Sequence, residues 1–124
     1  MTSQSILIVD DSISNLKLAK FLLRQEGFEV STAENAEDAL LGIEKKIPTL
    51  ILMDIQLPGM DGLQLTRLLR ANDALYDVPI VAFTASAIKG DEELARAAGC
   101  GGYVTKPIDT RSFGSVVRGY IDRA

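Results

Sequence analysis

The sequence from position 50 to 54 reads Leu50-Ile51-Leu52-Met53-Asp54, four consecutive apolar residues followed directly by an acid. An apolar run this short and without alternation is typical of a strand buried on both faces, as in a parallel sheet. Ile6-Leu7-Ile8-Val9 shows the same pattern and ends in Asp10-Asp11. The run from Pro79 to Phe83 ends in Thr84. The sequence therefore predicts central strands whose carboxyl ends carry polar side chains.

Two further strand candidates, Phe28 to Ala33 and Tyr103-Val104, and five helical patterns complete the chain. The helical spacing of apolar residues covers roughly 16–23, 36–43, 65–69, 91–98 and 113–120. Gly27 and Gly99 are expected to end helices, and Asn35 is expected to cap one. Strand and helix alternate five times, which predicts an α/β fold with a doubly wound five-stranded parallel sheet and helices on both faces.

Composition excludes several classes of function. A chain of 124 residues can bury one core, and no apolar run reaches the ~18 residues that span a bilayer. The net charge of −4 argues against direct nucleic-acid binding. The absence of His and the single cysteine, Cys100, exclude His catalysis, an internal disulfide and a Cys- or His-based metal site. We expect a cytoplasmic protein with no membrane contact.

Five polar residues are expected to meet at one edge of the sheet: Asp10, Asp11, Asp54, Thr84 and Lys106. Each alone has an ordinary explanation, since an Asp after a strand often caps a helix or begins a turn. Together they are harder to explain structurally, because three neighbouring carboxylates repel one another. Mg²⁺ is the cation that best suits a set of oxygen ligands, and Mn²⁺ can substitute for it.

A lysine beside such a metal site indicates phosphoryl chemistry. A divalent cation and an ammonium that face one point form a clamp for a phosphoryl group. The available nucleophiles are the carboxylates and Thr84, and carboxylates form aspartyl phosphates. Asp54 lies between the other acids and Lys106 in strand order, so it is the best nucleophile.

At this point the sequence resembles the receiver domains of two-component response regulators, the CheY-like superfamily, over essentially its full length. The resemblance is nearest to stand-alone regulators of cell-cycle type (DivK-like) and to receivers of hybrid histidine kinases. It implies a (βα)5 flavodoxin-like fold with strand order 2-1-3-4-5 and one receiver domain over 1–124. The motifs that carry it are Val9-Asp10-Asp11, the run from Leu52 to Gly62, Phe83-Thr84-Ala85 and Tyr103-Val104-Thr105-Lys106-Pro107.

The resemblance also implies roles for single residues around the metal. Asp54 is expected to be the phosphoacceptor. Asp11 is expected to bind Mg²⁺ directly, Asp10 mainly through water, and Gln56 through its backbone carbonyl.

Four more residues are expected to act on the phosphoryl group or to respond to it. Lys106, Thr84 and Ala85 would contact the phosphoryl group, Lys106 by pairing with one of its oxygens. Tyr103 would be the switch aromatic that turns inward as Thr84 moves, although a plain core position remains an alternative for it.

The implied function is signal transfer rather than turnover of a small molecule. A partner histidine kinase or histidine phosphotransfer protein would supply the phosphoryl group. Phosphorylation would then alter the face formed by the fourth helix, fifth strand and fifth helix, which a downstream protein would bind. We expect a monomer or a weak dimer linked to phosphorylation. Gly101-Gly102 departs from the acidic pair usual in the winged-helix branch, which argues against that branch's charged dimer.

Several alternatives remain at this stage. The chain could be a receiver excised from a hybrid histidine kinase or a multidomain regulator, or a pseudo-receiver that binds without phosphorylation. A phosphatase of the haloacid dehalogenase type would need an acid at position 56, where this chain has Gln56. A flavodoxin-like FMN site is disfavoured because Asp10-Asp11 would repel the ligand's phosphate.

Overall fold

A computed structural model of the chain describes residues 4–55, 57, 61–84, 89–106 and 108–123, and of residues 89, 91 and 123 it describes the backbone alone. The strands in this part of the chain are β1 (Ser5–Val9), β2 (Glu29–Ala33), β3 (Leu50–Met53), β4 (Ile80–Thr84) and β5 (Gly102–Thr105). They form one parallel sheet in the order β2-β1-β3-β4-β5. The doubly wound α/β fold and its strand order 2-1-3-4-5 are thereby confirmed.

The helices of the described part cover the sheet on both faces. They are α1 (Ile13–Gln25), α2 (Ala36–Lys45), α3 (Gly62–Arg70), α4 (Lys89–Ala98) and α5 (Phe113–Arg123). Alternate residues of β1 point to opposite faces: Ile6 and Ile8 pack in the core with α1 and α5, and Leu7 and Val9 in the core with α2, α3 and α4. This explains why the central strands are apolar without alternation. None of the helices described has the length and apolar character needed to cross a bilayer.

Helix ends follow the local signals in the sequence. Ser12 caps α1, and its hydroxyl accepts the N–H of Asn15. Asn35 caps α2 as predicted, accepting the N–H of Asp38 at 2.8 Å. Gly27 follows α1 with a φ of +93°, a conformation that favours glycine and ends the helix.

Two elements differ from the prediction. Helix α4 is described from Lys89 onward, so it already includes the two residues before the acids at 91–93, near which the sequence had placed its start. These acids still lie near the positive end of the helix dipole, so acidic residues locate a helix start only to within about a turn. A single 3₁₀ turn, Asp73–Leu75, precedes β4 and was not predicted. Asn72 begins it and accepts the N–H of Ala74.

Cys100 lies in the core between Gly99 and β5, with 5% of its surface exposed. Its Sγ lies 4.0 Å from the hydroxyl oxygen of Thr66. Burial raises the pKa of the Cys100 thiol, and the Thr66 contact and nearby arginines oppose this only in part. The thiol is therefore held in its unreactive protonated form.

We expect native Cys100 to react with iodoacetamide at neutral pH at least about tenfold more slowly than the same thiol in denaturant, because reaction requires an exposed thiolate. Intact mass measured over time gives both rates. Equal rates in native and denaturing buffer would contradict the buried position.

Candidate functional site

Sheet hydrogen bonding continues past the ends of two strands and holds two of the predicted acids side by side. The N–H of Asp10 donates to the carbonyl of Ala33 at 3.0 Å, and the N–H of Asp54 donates to the carbonyl of Val9 at 2.9 Å. Because β1 and β3 are adjacent and parallel, their carboxyl ends place Asp10 and Asp54 next to each other.

Asp10, Asp11 and Asp54 form a cluster in which one carboxylate oxygen from each lies within 4.8 Å of the others. Asp10 is fully buried and Asp54 is 4% exposed, whereas Asp11 faces solvent. Two carboxylates are therefore largely removed from water, and the third lies at the entrance of the cluster. Such an arrangement costs free energy unless positive charge compensates it.

Lys106 supplies part of that compensation. Its Nζ lies 2.6 Å from Oδ2 of Asp10 and 3.1 Å from Oδ2 of Asp54. The ammonium also lies 5.0 Å from the centre of the Phe83 ring, a favourable cation–π distance. Burial lowers the pKa of Lys106, but its interactions with Asp10 and Asp54 outweigh burial and leave the pKa above its ordinary value. The ammonium is therefore charged throughout the physiological range.

Pairing between β4 and β5 sets the position of Lys106. Thr84 is the last residue of β4, is fully buried and pairs with Thr105. Its carbonyl accepts the N–H of Lys106 at 2.8 Å. Lys106 therefore leaves the sheet directly beside Thr84, at the edge where the acids lie.

The partners of Asp10 show how well the acidic cluster would fit a divalent cation. Its Oδ1 accepts the N–H of Ser12 at 2.8 Å. Its buried Oδ2 has no well-directed hydrogen bond among the described residues, so the charge of Lys106 is what compensates it. One ammonium faces three carboxylates, and the cluster keeps an excess of negative charge. These oxygen donors fit a hard cation such as Mg²⁺.

The other predicted site residues are placed as follows. Tyr103 lies on β5, half-buried against the core formed with α2, α3 and α4. Gln56 and Ala85 lie outside the described residues.

Gly62 is a residue of the site whose role sequence reasoning did not identify. It is the first residue of α3, and its N–H donates to the carbonyl of Ile55 at 3.2 Å. A Cβ at this position would collide with the backbone carbonyl of Asp54 and with Cα of Ile55. The missing side chain therefore lets α3 begin directly against the backbone of Asp54. The glycine was visible in the motif, but no local pattern in the sequence marks its contact with the backbone of residues seven and eight positions earlier.

We expect Gly62→Ala to destabilise the fold by about 1–3 kcal/mol, the usual cost of forcing an extra group into a packed site. Gly42→Ala is the matched control, because Gly42 lies inside α2 and nothing lies within 4 Å of an added Cβ. That change should stabilise the protein by about 0.5–1 kcal/mol, since alanine favours a helix. Denaturant unfolding measures both, and equal stability of the two variants would contradict the contact.

Comparison with known proteins places this geometry in a family. The model of the response regulator receiver domain matches residues 6–118. The polar-differentiation response regulator DivK of Brucella anthropi is 40% identical over 121 residues, covering 98% of each chain.

Solved structures of receiver domains share the fold of this chain. A CheY-like receiver domain protein from Methanospirillum hungatei superposes with a TM-score of 0.88 at 30% identity, covering 98% of this chain and 96% of that one. The receiver domain of a sensor histidine kinase from Pseudomonas aeruginosa, solved with a magnesium ion in its active-site cleft, gives 0.87 at 33% identity over 98% and 99%. With its acids and lysine at the strand ends that the resemblance singled out, the chain belongs to the receiver domain family of two-component response regulators.

Proposed function

We propose that residues 1–124 form one receiver domain that accepts a phosphoryl group on Asp54 from a phosphohistidine of a histidine kinase or histidine phosphotransfer protein. The observation that carries this proposal is the setting of Asp54. Its carboxylate is nearly buried at the end of β3, belongs to an acidic cluster and contacts the ammonium of Lys106. That combination supplies a nucleophile and a cationic partner for phosphoryl oxygens.

The transfer step is a displacement at phosphorus. A carboxylate oxygen of Asp54 forms the new O–P bond as the N–P bond to the donor imidazole breaks. The imidazole leaves with the bonding electrons and takes up a proton. Lys106 remains charged, stabilises negative charge on the phosphoryl oxygens and does not exchange a proton.

Asp10, Asp11 and Asp54 are the residues that would hold Mg²⁺, or Mn²⁺ in its place, with the backbone carbonyl of Gln56 as a further ligand. The ion, when bound, offsets the negative charge that the carboxylates and the phosphoryl group bring together. As the resemblance implies, Asp10 would contribute mainly through water, and its Oδ1 also accepts the N–H of Ser12.

Phosphorylation is proposed to shift the population of two conformations through Thr84 and Tyr103. Thr84 would hydrogen-bond the phosphoryl group, and the small side chain of Ala85 would leave room for it. Tyr103 would move further into the core. The Tyr103 side chain is half-buried, so part of its surface could still become buried in such a change. The altered face would consist of α4, β5 and α5, and a downstream protein would bind there.

Helix α1 is the proposed docking surface for the phosphoryl donor. It carries Lys17, Lys20 and Arg24 and no acid, although the chain as a whole is acidic. Ile13 and Phe21 expose more than half of their surface on the same helix. A basic surface with exposed apolar side chains suits a partner that is acidic and has apolar contacts of its own.

Location, oligomeric state and the absence of other partners follow from the same receiver function. The protein would act in the cytoplasm, where a single cysteine is unexceptional. It would be a monomer or a weak dimer linked to phosphorylation, and it would bind neither nucleic acid nor membrane. It would catalyse only its own phosphorylation and dephosphorylation. The same chemistry would apply if this domain were part of a hybrid histidine kinase or a multidomain regulator, and the similar Pseudomonas aeruginosa structure is the receiver domain of a sensor histidine kinase.

Incubation with acetyl phosphate and Mg²⁺ should add one phosphoryl group to the wild-type chain and none to Asp54→Asn. Intact mass detects the adduct, and prior chelation of the Mg²⁺ should prevent it. Asp61→Asn is the matched control, because Asp61 lies in the same motif but caps α3, a role that asparagine fills equally well. An adduct on Asp54→Asn, or its absence from every variant even with a phosphorylated histidine donor, would contradict the proposal.

Mg²⁺ should raise the melting temperature of the wild type, since it binds the folded cluster. Asp11→Ala should require about tenfold or more Mg²⁺ for the same rise in melting temperature. Loss of a group that only supports a metal ligand already lowers metal affinity about that much, and Asp11 is expected to be a ligand itself. Lys106→Ala should respond to Mg²⁺ at least as strongly as the wild type, because it removes a competing positive charge. Calorimetry at constant ionic strength measures all three, and a weaker response of Lys106→Ala than of Asp11→Ala would contradict these roles.

A further inference from the structure

Besides the apolar packing of Val104 against α5, helix α5 contacts the backbone of the strand that carries Tyr103 through Tyr120. The backbone N–H of Tyr103 donates to the hydroxyl of Tyr120 at 3.4 Å. Strand β5 lies at the end of the sheet, with β4 as its neighbour. The hydroxyl therefore serves a backbone group on the open edge of the sheet.

Gly102 makes this contact possible. Its Cα lies so close to the Tyr120 ring that an added Cβ would collide with Cε1 and would lie 2.6 Å from Cζ. The ring thus fills the space that a side chain at position 102 would occupy. This gives a physical reason for the second glycine of Gly101-Gly102, the departure from the acidic pair noted in the sequence.

The direction of the side chains along β5 shows what the contact joins. Val104 packs in the core with α1 and α5, whereas Tyr103 packs in the core with α2, α3 and α4. Because side chains alternate along a strand, position 102 faces α5 together with Val104. Tyr120 therefore rests on the α5 face of β5 and reaches the residue whose side chain lies on the opposite face.

We propose that Tyr120 is a positioning residue through which helix α5 follows the switch strand. It would hold the backbone of Tyr103 at a constant distance from α5, so that a movement of β5 displaces the helix as well. This inference rests on the proposed switch role of Tyr103. It adds a specific residue pair, Tyr120 and Gly102, by which the signal reaches α5.

The first test needs no phosphorylation. In the unphosphorylated protein, Tyr120→Phe should keep the ring and remove the acceptor of the Tyr103 N–H. Amide exchange at Tyr103, followed by NMR, should become about three- to tenfold faster, the change expected from the loss of one ordinary hydrogen bond. Tyr76→Phe is the matched control, because Tyr76 is 83% exposed, and it should leave exchange at Tyr103 unchanged. Unaltered exchange in Tyr120→Phe would overturn the proposal.

The second test examines the coupling itself with beryllium fluoride and Mg²⁺ as a mimic of the aspartyl phosphate. In the wild type and in Tyr76→Phe, amide resonances around Asp54, in β5 and in α5 should shift. In Tyr120→Phe the shifts around Asp54 and in β5 should persist, while those of residues 113–123 should fall by at least half. Gly102→Ala, which displaces the ring, should give the same result.

The two proposals fail in different ways. Full α5 shifts in both Tyr120→Phe and Gly102→Ala, with normal shifts around Asp54, would overturn the role of Tyr120 and leave the receiver function standing. A wild type in which no resonance responds to beryllium fluoride would overturn the proposed function, and the exchange rates would still decide whether Tyr120 holds Tyr103.

Discussion

The contact of one ammonium with two buried carboxylates is the interaction on which the site depends. Asp10 and Asp54 stand at the ends of adjacent strands, and two like charges 4 Å apart repel by on the order of 4 kcal/mol at an effective dielectric constant of 20. Lys106 lies 2.6 Å and 3.1 Å from their Oδ2 atoms and converts that repulsion into two attractive pairs. The compensation is incomplete, since Asp11 adds a third negative charge. A site left short of positive charge is suited to attract a cation and, through the cation, a phosphoryl group.

The sheet makes this arrangement unavoidable. Its central strands are buried on both faces, so a slip in register by one residue would exchange the two apolar cores. Hydrogen bonds from Asp10 to Ala33 and from Asp54 to Val9 extend the strand pairing into the site itself. The acids therefore cannot separate without breaking sheet hydrogen bonds. The free energy of the apolar core holds together charges that would otherwise move apart.

The fold and most of the site geometry were predictable because they depend on local patterns. Apolar runs gave the strands, and Asn35 and Gly27 gave helix ends to within a residue or two. The convergence of Asp10, Asp54 and Lys106 followed from the rule that parallel strands end at one edge. That rule requires only that the strands are parallel and that their last residues are known, and the sequence predicts both.

The features that the sequence did not predict depend on contacts between residues that are not neighbours in the chain. Gly62 was only the last residue of a motif, yet its missing side chain is what admits the backbone of Asp54. Gly102 looked like a departure from a motif, yet it makes room for a tyrosine eighteen positions further on. In neither case do the residues next to the glycine in the sequence indicate which residue it will contact. The 3₁₀ turn at Asp73–Leu75 is similar, since its Asn72 cap resembles any other loop asparagine.

Helix α5 is anchored on two sides, and this constrains how a signal can travel through it. Arg118 donates to the carbonyl of Glu26 at 2.7 Å and lies over the Phe28 ring, so it ties α5 to the end of α1. Tyr120 ties the same helix to β5 two residues further on. Arg118 lies on α5, one of the elements of the proposed output face, but these contacts hold its side chain against the end of α1. One anchor therefore lies at the end of the proposed docking helix and the other on the switch strand. A shift of β5 would act on α5 at Tyr120, while Arg118 still holds the helix to the end of α1.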